Sequence, residues 1–221
     1  MPTILIPAAH DSLVPNKCSS LKMGAPHLAS RGPRRQVFVV GVVDVGKIRA
    51  AGTTKMKTTM RSATEHDLAF LRQAIELARA ARAHGAHPFG TLIVDEHGQV
   101  LVTARNNAVP PQGDPTQHAE RLACSKIGRQ FTPAQLSRCT LYTSTEPCAM
   151  CAGAIYWTGI GRVVYALSAK SLMHLIGSGP EIPTLDLPCR ELFARGQRPT
   201  QVIGPLIEEA AAEVHQGFWT G

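Results

Sequence analysis

Apolar residues at Leu68, Leu71, Ile75, Ala78 and Ala81 recur every three or four positions, the spacing that lines one face of a helix. Thr64-Glu65-His66-Asp67 stands ahead of them in the form of a capping box, and Gly85 ends the run, so the first helix is predicted between the two. The period then shortens. Residues 91–95 and 99–103 are β-rich runs divided by Glu96-His97-Gly98, which predicts a hairpin. A helix follows over 115–128, with Pro115 suited to an early helical position. Beyond it the pattern predicts a strand over 140–144, a helix over 147–157, strands over 162–167 and 201–206, and a closing helix over 207–215. Strands that alternate with helices need crossover connections, which implies an α/β fold with a mixed five-stranded sheet covered on both faces.

Before Thr64 the pattern dissolves. Pro, Ser and Gly are scattered from Pro2 to Pro33, basic residues cluster in Arg31-Gly32-Pro33-Arg34-Arg35, and only 36–45 forms a sustained apolar run. The expected organisation is a domain over 62–221 preceded by a leader over 1–61. An organelle transit segment, a disordered tail and sequence upstream of the true start all suit such a leader. Met56 and Met60, just ahead of the first helix, favour the last.

Charge supports the same division. The whole chain of 221 residues carries a formal +7, but residues 1–61 hold ten Lys and Arg against two acids, and the remainder holds 13 against 14. The domain is therefore close to neutral, which disfavours a nucleic-acid substrate without excluding one, since a basic face is the usual footprint of such binding. No apolar run reaches the roughly 20 residues of a membrane-spanning helix. Six cysteines without regular spacing do not make a disulfide framework, so a reducing compartment is expected, cytoplasmic unless the leader directs the chain to an organelle.

The candidate chemistry lies in His118 and Glu120, followed by Cys148 and Cys151. If each pair sits in the first turn of its helix, the two helix N-termini converge on one ion, and their partial positive charge favours thiolates. One imidazole and two thiolates are ligands that zinc accepts, and three protein ligands leave a fourth position open, as in catalytic rather than structural sites. Glu120 is then free to move protons for a water made acidic by the metal. A lone Cys-x-x-Cys would equally suit a redox pair or half of a structural finger, and a metal-retaining module without catalysis is a further reading.

His118-Ala119-Glu120 and Glu146-Pro147-Cys148-Ala149-Met150-Cys151 resemble the two signatures of the zinc-dependent cytidine deaminase superfamily. The likeness extends to Asp114-Pro115-Thr116-Gln117 and to 151–157, where it is nearer the guanine and nucleoside deaminases, and it covers about residues 62–221. It implies a three-layer α/β/α sandwich, a Zn2+ cofactor held by His118, Cys148 and Cys151, and Glu120 as the catalytic proton carrier. It further implies hydrolytic release of ammonia from a small nucleobase or nucleoside, most naturally a purine such as guanine or guanosine, by a homodimer. A tRNA adenosine deaminase is the alternative, since the cysteine motif is shared almost residue for residue.

For the substrate contacts, the resemblance implies an Asn after the second strand. Strand alignment selects Asn106, while counting back from His118 selects Asn107. The backbone amide of Ala119, the carbonyl of Glu146 and the ring of Phe89 complete the expected contacts; Phe89 could equally be a core aromatic, and Trp157 could pack a dimer interface. The acidic pair that guanine deaminases carry after the fourth strand is missing from 169–179. Specificity is therefore expected to rest on Glu181 or on Glu208, Glu209, Glu213, His215, Phe218 and Trp219. His84, His87 and His97 read as helix-end, loop and turn residues, and Cys189 as a buried thiol rather than a fourth ligand.

Overall fold

A computed structural model describes residues 63–177 and 185–219. The leader over 1–61, with Met56 and Met60, and the specificity candidate Glu181 lie outside the described residues. The elements are α1 (Glu65–Ala83), β1 (Gly90–Val94), β2 (Val100–Arg105), α2 (Ala119–Ile127), α3 (Pro133–Leu136), β3 (Thr140–Thr145), α4 (Ala149–Thr158), β4 (Arg162–Leu167), α5 (Ala169–Ile176), α6 (Cys189–Ala194), β5 (Gln201–Ile203) and α7 (Glu208–Glu213). No helix among the described residues is long and apolar enough to cross a membrane.

The sheet order is β2-β1-β3-β4-β5. β1 pairs antiparallel with β2 and β3, whereas β3, β4 and β5 run parallel, so the sheet is mixed as expected. Alternation along each strand separates two cores. Ile93, Leu141 and Val163 pack with Ala123 and Ile127 of α2, Ala152 and Ile155 of α4, and Phe193 of α6. Leu92, Tyr142 and Val164 pack on the other side with Leu71, Ile75 and Ala78 of α1 and Ala211 of α7. The result is three layers, helix on sheet on helix.

α1 begins with the predicted capping box: Asp67 N–H donates to Thr64 Oγ1 and Thr64 N–H to the Asp67 carboxylate. That carboxylate also accepts from both terminal nitrogens of the Arg162 guanidinium, at 2.7 and 2.9 Å, and from the Tyr142 hydroxyl at 2.8 Å. Burial alone would raise the Asp67 carboxyl, but Arg162, Thr64 and Tyr142 together hold it well below the usual carboxylate range. α1 crosses the start of β1 so closely that a Cβ on Gly90 would sit 2.5 Å from Ala74 O and Ala78 N. Glycine is required there by close approach.

The boundaries differ from the sequence expectation in informative places. α2 and α4 start later than expected, because Pro115–Gln117 form a turn and because His118 and Cys148 are extended N-caps rather than helical residues. β2 continues to Arg105, while β5 and α7 are shorter than predicted. The short helices α3, α5 and α6 had no predicted counterpart.

Candidate metal centre and substrate pocket

An N-cap side chain ordinarily accepts a hydrogen bond from its own helix, and Ser, Thr, Asp or Asn is preferred for that reason. His118 and Cys148 occupy the N-caps of α2 and α4 and make no side-chain capping bond. Their extended backbones aim both side chains away from their helices, toward each other. Cys151, one turn into α4, is fully buried beside them. His118 Nδ1 lies 3.6 Å from each sulfur, and all three donor atoms lie within 4.8 Å of one another. A tetrahedral zinc with the usual Zn–S and Zn–N bonds gives a nitrogen-to-sulfur edge of about 3.6 Å. The donor chemistry and the spacing therefore both fit zinc, and His118, Cys148 and Cys151 are positioned as its ligands.

The electrostatics agree with a ligand cluster. The Cys148 thiol is drawn down to about 4 by the Cys151 thiol that bonds to it, against the opposing effect of burial and with help from His118. The hydrogen bond with Cys148 and burial push Cys151 the other way. His118 is raised by its bond to Cys148. Glu120 is buried, 6% exposed, with Oε1 accepting from Thr143 Oγ1 at 3.1 Å and Oε2 3.5 Å from Cys151 Sγ. Burial, then the negative charge of Cys148, raises its carboxyl above the usual range. A carboxyl lifted in this way is closer to the pH at which proton transfer is efficient.

Next to the metal cluster the two asparagines separate. Asn107 is a brace for its own loop, its Nδ2 donating to Gln117 Oε1 at 2.5 Å and to Gln112 O at 3.3 Å. Asn106 is 4% exposed, uses Oδ1 to accept from Ala108 N–H, and keeps a buried Nδ2 without a partner. Strand alignment therefore picked the residue with an available donor. Ala119, at the first position of α2, is completely buried, and its N–H is among those that a helix start leaves without an intrahelical acceptor. The Glu146 carboxylate accepts from the N–H groups of Ala169 and Cys189, each at 3.1 Å, so its side chain is structural and its carbonyl is the part that the substrate reading concerns.

The C-terminal segment supplies an aromatic wall. His215 packs on Phe89 with ring centroids 5.3 Å apart, and Trp219 lies 5.2 Å from His87 and 6.2 Å from Phe89. Phe218 meets the edge of His87 at 6.0 Å. Asn106 N–H donates to Phe89 O at 3.0 Å and Asn107 N–H to Gln117 O at 2.9 Å, next to the ligand His118, which sets this wall beside the metal cluster; burial holds His87 below its ordinary value. Arg82, near the end of α1, latches the segment by donating to Val214 O at 2.8 Å and lying over the Phe218 ring at 5.8 Å. Among the C-terminal specificity candidates, Glu208 is occupied by Ser168 and Glu209 and Glu213 are exposed, leaving His215, Phe218 and Trp219 in the aromatic wall.

His84 caps α1 by bonding Ala80 O at 2.7 Å, His97 lies exposed in a turn, and Cys189 is a buried thiol raised by burial that does not join the metal cluster. Sequence reading missed Thr143 and Thr145. The signal was present: Thr-x-Thr puts two polar side chains on the buried helix-facing side of β3, where apolar residues are the norm. It also treated His87 as a plain loop residue and did not anticipate the Arg82 latch.

Comparison with known proteins defines the class. The family described as "Cytidine and deoxycytidylate deaminase zinc-binding region" matches residues 64–167. A probable cytosine deaminase of Schizosaccharomyces pombe is 47% identical over 158 residues, covering 72% of this chain and 95% of that protein. A tRNA-specific adenosine deaminase of Haemophilus influenzae is 38% identical over 105 residues, 48% of this chain and 60% of that one. The solved guanine deaminase of Nitrosomonas europaea superposes with a TM-score of 0.56 at 28% identity, over 73% of this chain and 88% of that one. The chain belongs to the zinc-dependent cytidine and deoxycytidylate deaminase superfamily. Within it, the protein is a hydrolytic deaminase of a nucleobase or nucleoside.

Proposed function

We propose that the chain deaminates a free nucleobase of small size, with Glu120 as the proton carrier and the C-terminal aromatic wall as the pocket's closure. The observation that carries this reading is the packing of His215 and Trp219 against Phe89 and His87 beside the metal cluster. A wall of this kind suits a base that is enclosed. An RNA editor needs an open groove that holds splayed bases and a backbone.

Bound zinc supplies Lewis acidity that makes water a nucleophile near neutral pH. Glu120 takes one proton from the water that attacks the ring carbon bearing the amine and gives it to the ring nitrogen. It then takes the second proton from the hydroxyl left on that carbon and gives it to the amine, which departs as ammonia while the carbonyl forms, so both protons of the water pass through one carboxyl. Asn106 Nδ2 and Ala119 N–H donate to the ring, and the Glu146 carbonyl accepts from the leaving amino group. His87, Phe89 and Trp219 exclude bulk water.

Two bases are favoured by separate observations. Guanine is favoured by the 151–157 segment, by Phe89 and by the likeness to the N. europaea enzyme; cytosine by the near end-to-end likeness to the S. pombe protein and by the missing acidic pair after β4. An ammonia-release panel of guanine, guanosine, cytosine, adenine, adenosine and a tRNA decides among them. Turnover of guanine or cytosine is the expected result, and activity on tRNA alone overturns the proposal.

The homodimer expected from sequence has a matching surface. Met150 and Trp157 lie two turns apart on α4, Trp157 is 78% exposed, and a Cβ at Gly153 between them would meet nothing. On this reading Trp157→Glu converts the dimer to monomer in sedimentation velocity with zinc content unchanged; a variant that still sediments as a dimer removes α4 from the interface.

A further inference from the structure

Buried polar groups in folded proteins are nearly always hydrogen-bonded, so each exception asks for a partner that the chain itself does not provide. Among the described residues three buried side-chain atoms stand without one: Asn106 Nδ2, Thr145 Oγ1 and His215 Nε2. They come from β2's end, β3's end and the C-terminal segment, yet all three residues neighbour Phe89. Extending the β1–β2 pairing by one place sets Phe89 beside Asn106, and Asn106 N–H donates to Phe89 O at 3.0 Å. Extending the β1–β3 register by two places sets Phe89 opposite Thr145. By strand alternation Asn106 falls with Ala104, and Thr145 with Thr143, on the face that bears the metal helices. The His215 ring closes the group at 5.3 Å from Phe89.

The state of His215 is set by its neighbour. Trp219 Nε1–H donates to His215 Nδ1 at 3.3 Å, and an indole N–H can only donate. Nδ1 therefore carries the lone pair and Nε2 the hydrogen. Burial, with the charge of Arg82, lowers the ring to about 4, so it remains neutral at working pH. His215 is 2% exposed, and its Nε2–H is a donor held out of water with no acceptor in the chain.

We propose that His215 is a specificity-determining residue whose Nε2–H donates to a ring carbonyl of the bound base, restricting the substrate to heterocycles that carry both an amine and an oxo group. The inference rests on the deaminase reading above and narrows it. In cytosine and in guanine a carbonyl stands one ring nitrogen away from the carbon that bears the amine; in adenine no ring carbonyl exists. The rule therefore admits both favoured bases and rejects the base that a tRNA adenosine deaminase takes. It also gives the missing acidic pair a replacement of opposite hydrogen-bonding sense: a donor that reads an oxo group where an acid would read an amino group.

The test compares matched pairs, cytosine with 4-aminopyrimidine and guanine with 2-aminopurine, measuring kcat/KM for turnover and Ki for competition against the better substrate. His215→Leu is expected to lower kcat/KM for the carbonyl-bearing base by at least about tenfold, the effect of losing one buried hydrogen bond. The carbonyl-free partner's Ki stays within about twofold, because it never used the bond. His215→Gln, which keeps a side-chain N–H, restores the preference in part. Trp219→Phe removes the hydrogen that sets the tautomer and erodes the preference without touching His215, so the idea stays testable if His215→Leu does not fold. Equal losses on both members of a pair, or none, overturn the proposal. A wild-type enzyme that turns over no free base sinks the function reading instead, which keeps the two failures apart.

Discussion

Glu120→Gln is expected to keep its zinc and its folded stability while kcat falls by roughly a thousandfold, within the range that positioned acid–base catalysis contributes. Gln has the same length and can still accept the Thr143 hydrogen bond, so the variant removes the ability to carry a proton and little else. Metal content measured beside turnover separates three readings. Zinc kept and activity lost makes Glu120 the proton carrier. Loss of zinc makes it a ligand, contrary to the three-donor cluster of His118, Cys148 and Cys151. Activity within about tenfold of wild type gives the acid–base role to another group.

Asp67→Ala is expected to be the most destabilising single change on the far side of the sheet, by about 3–5 kcal/mol, since it strands a largely buried guanidinium as well as removing a cap. Asp67 is 2% exposed and bonds Thr64, Tyr142 and Arg162 together. The pH dependence has a definite sign. Its folded carboxyl titrates below its unfolded value of about 3.9, so its contribution is complete above that pH and is lost as pH falls through the folded value. Urea midpoints at neutral pH and near pH 3 should therefore differ more for wild type than for Asp67→Asn. An equal acid sensitivity in the two proteins would show that other carboxylates govern the acid limb.

The parts of this molecule legible in the sequence are those whose chemistry is local. His118-x-Glu120 and Cys148-x-x-Cys151 are short enough for spacing to imply a shared ion, and the α1 cap is complete within Thr64–Asp67. The layered fold follows from strand and helix alternation. What stayed hidden depends on relations across the chain. Asn106, Phe89 and Thr145 form one row only once the register of β2, β1 and β3 is known. His215 meets Phe89 only because α7 docks on the opposite face and Arg82 holds Val214. α3, with four residues, and α6, with six, are too short to show a helical period at all.

Glu146 gives the arrangement a mechanical consequence. It stands two residues before the ligand Cys148, and its carboxylate grips the first amide of α5 and the first amide of α6. The starts of α5 and α6 are thus both tied to one anion at the root of the metal loop. A shift of either helix start is therefore felt two residues from the ligand Cys148, so the geometry around the ion and the placement of α5 and α6 change together or not at all.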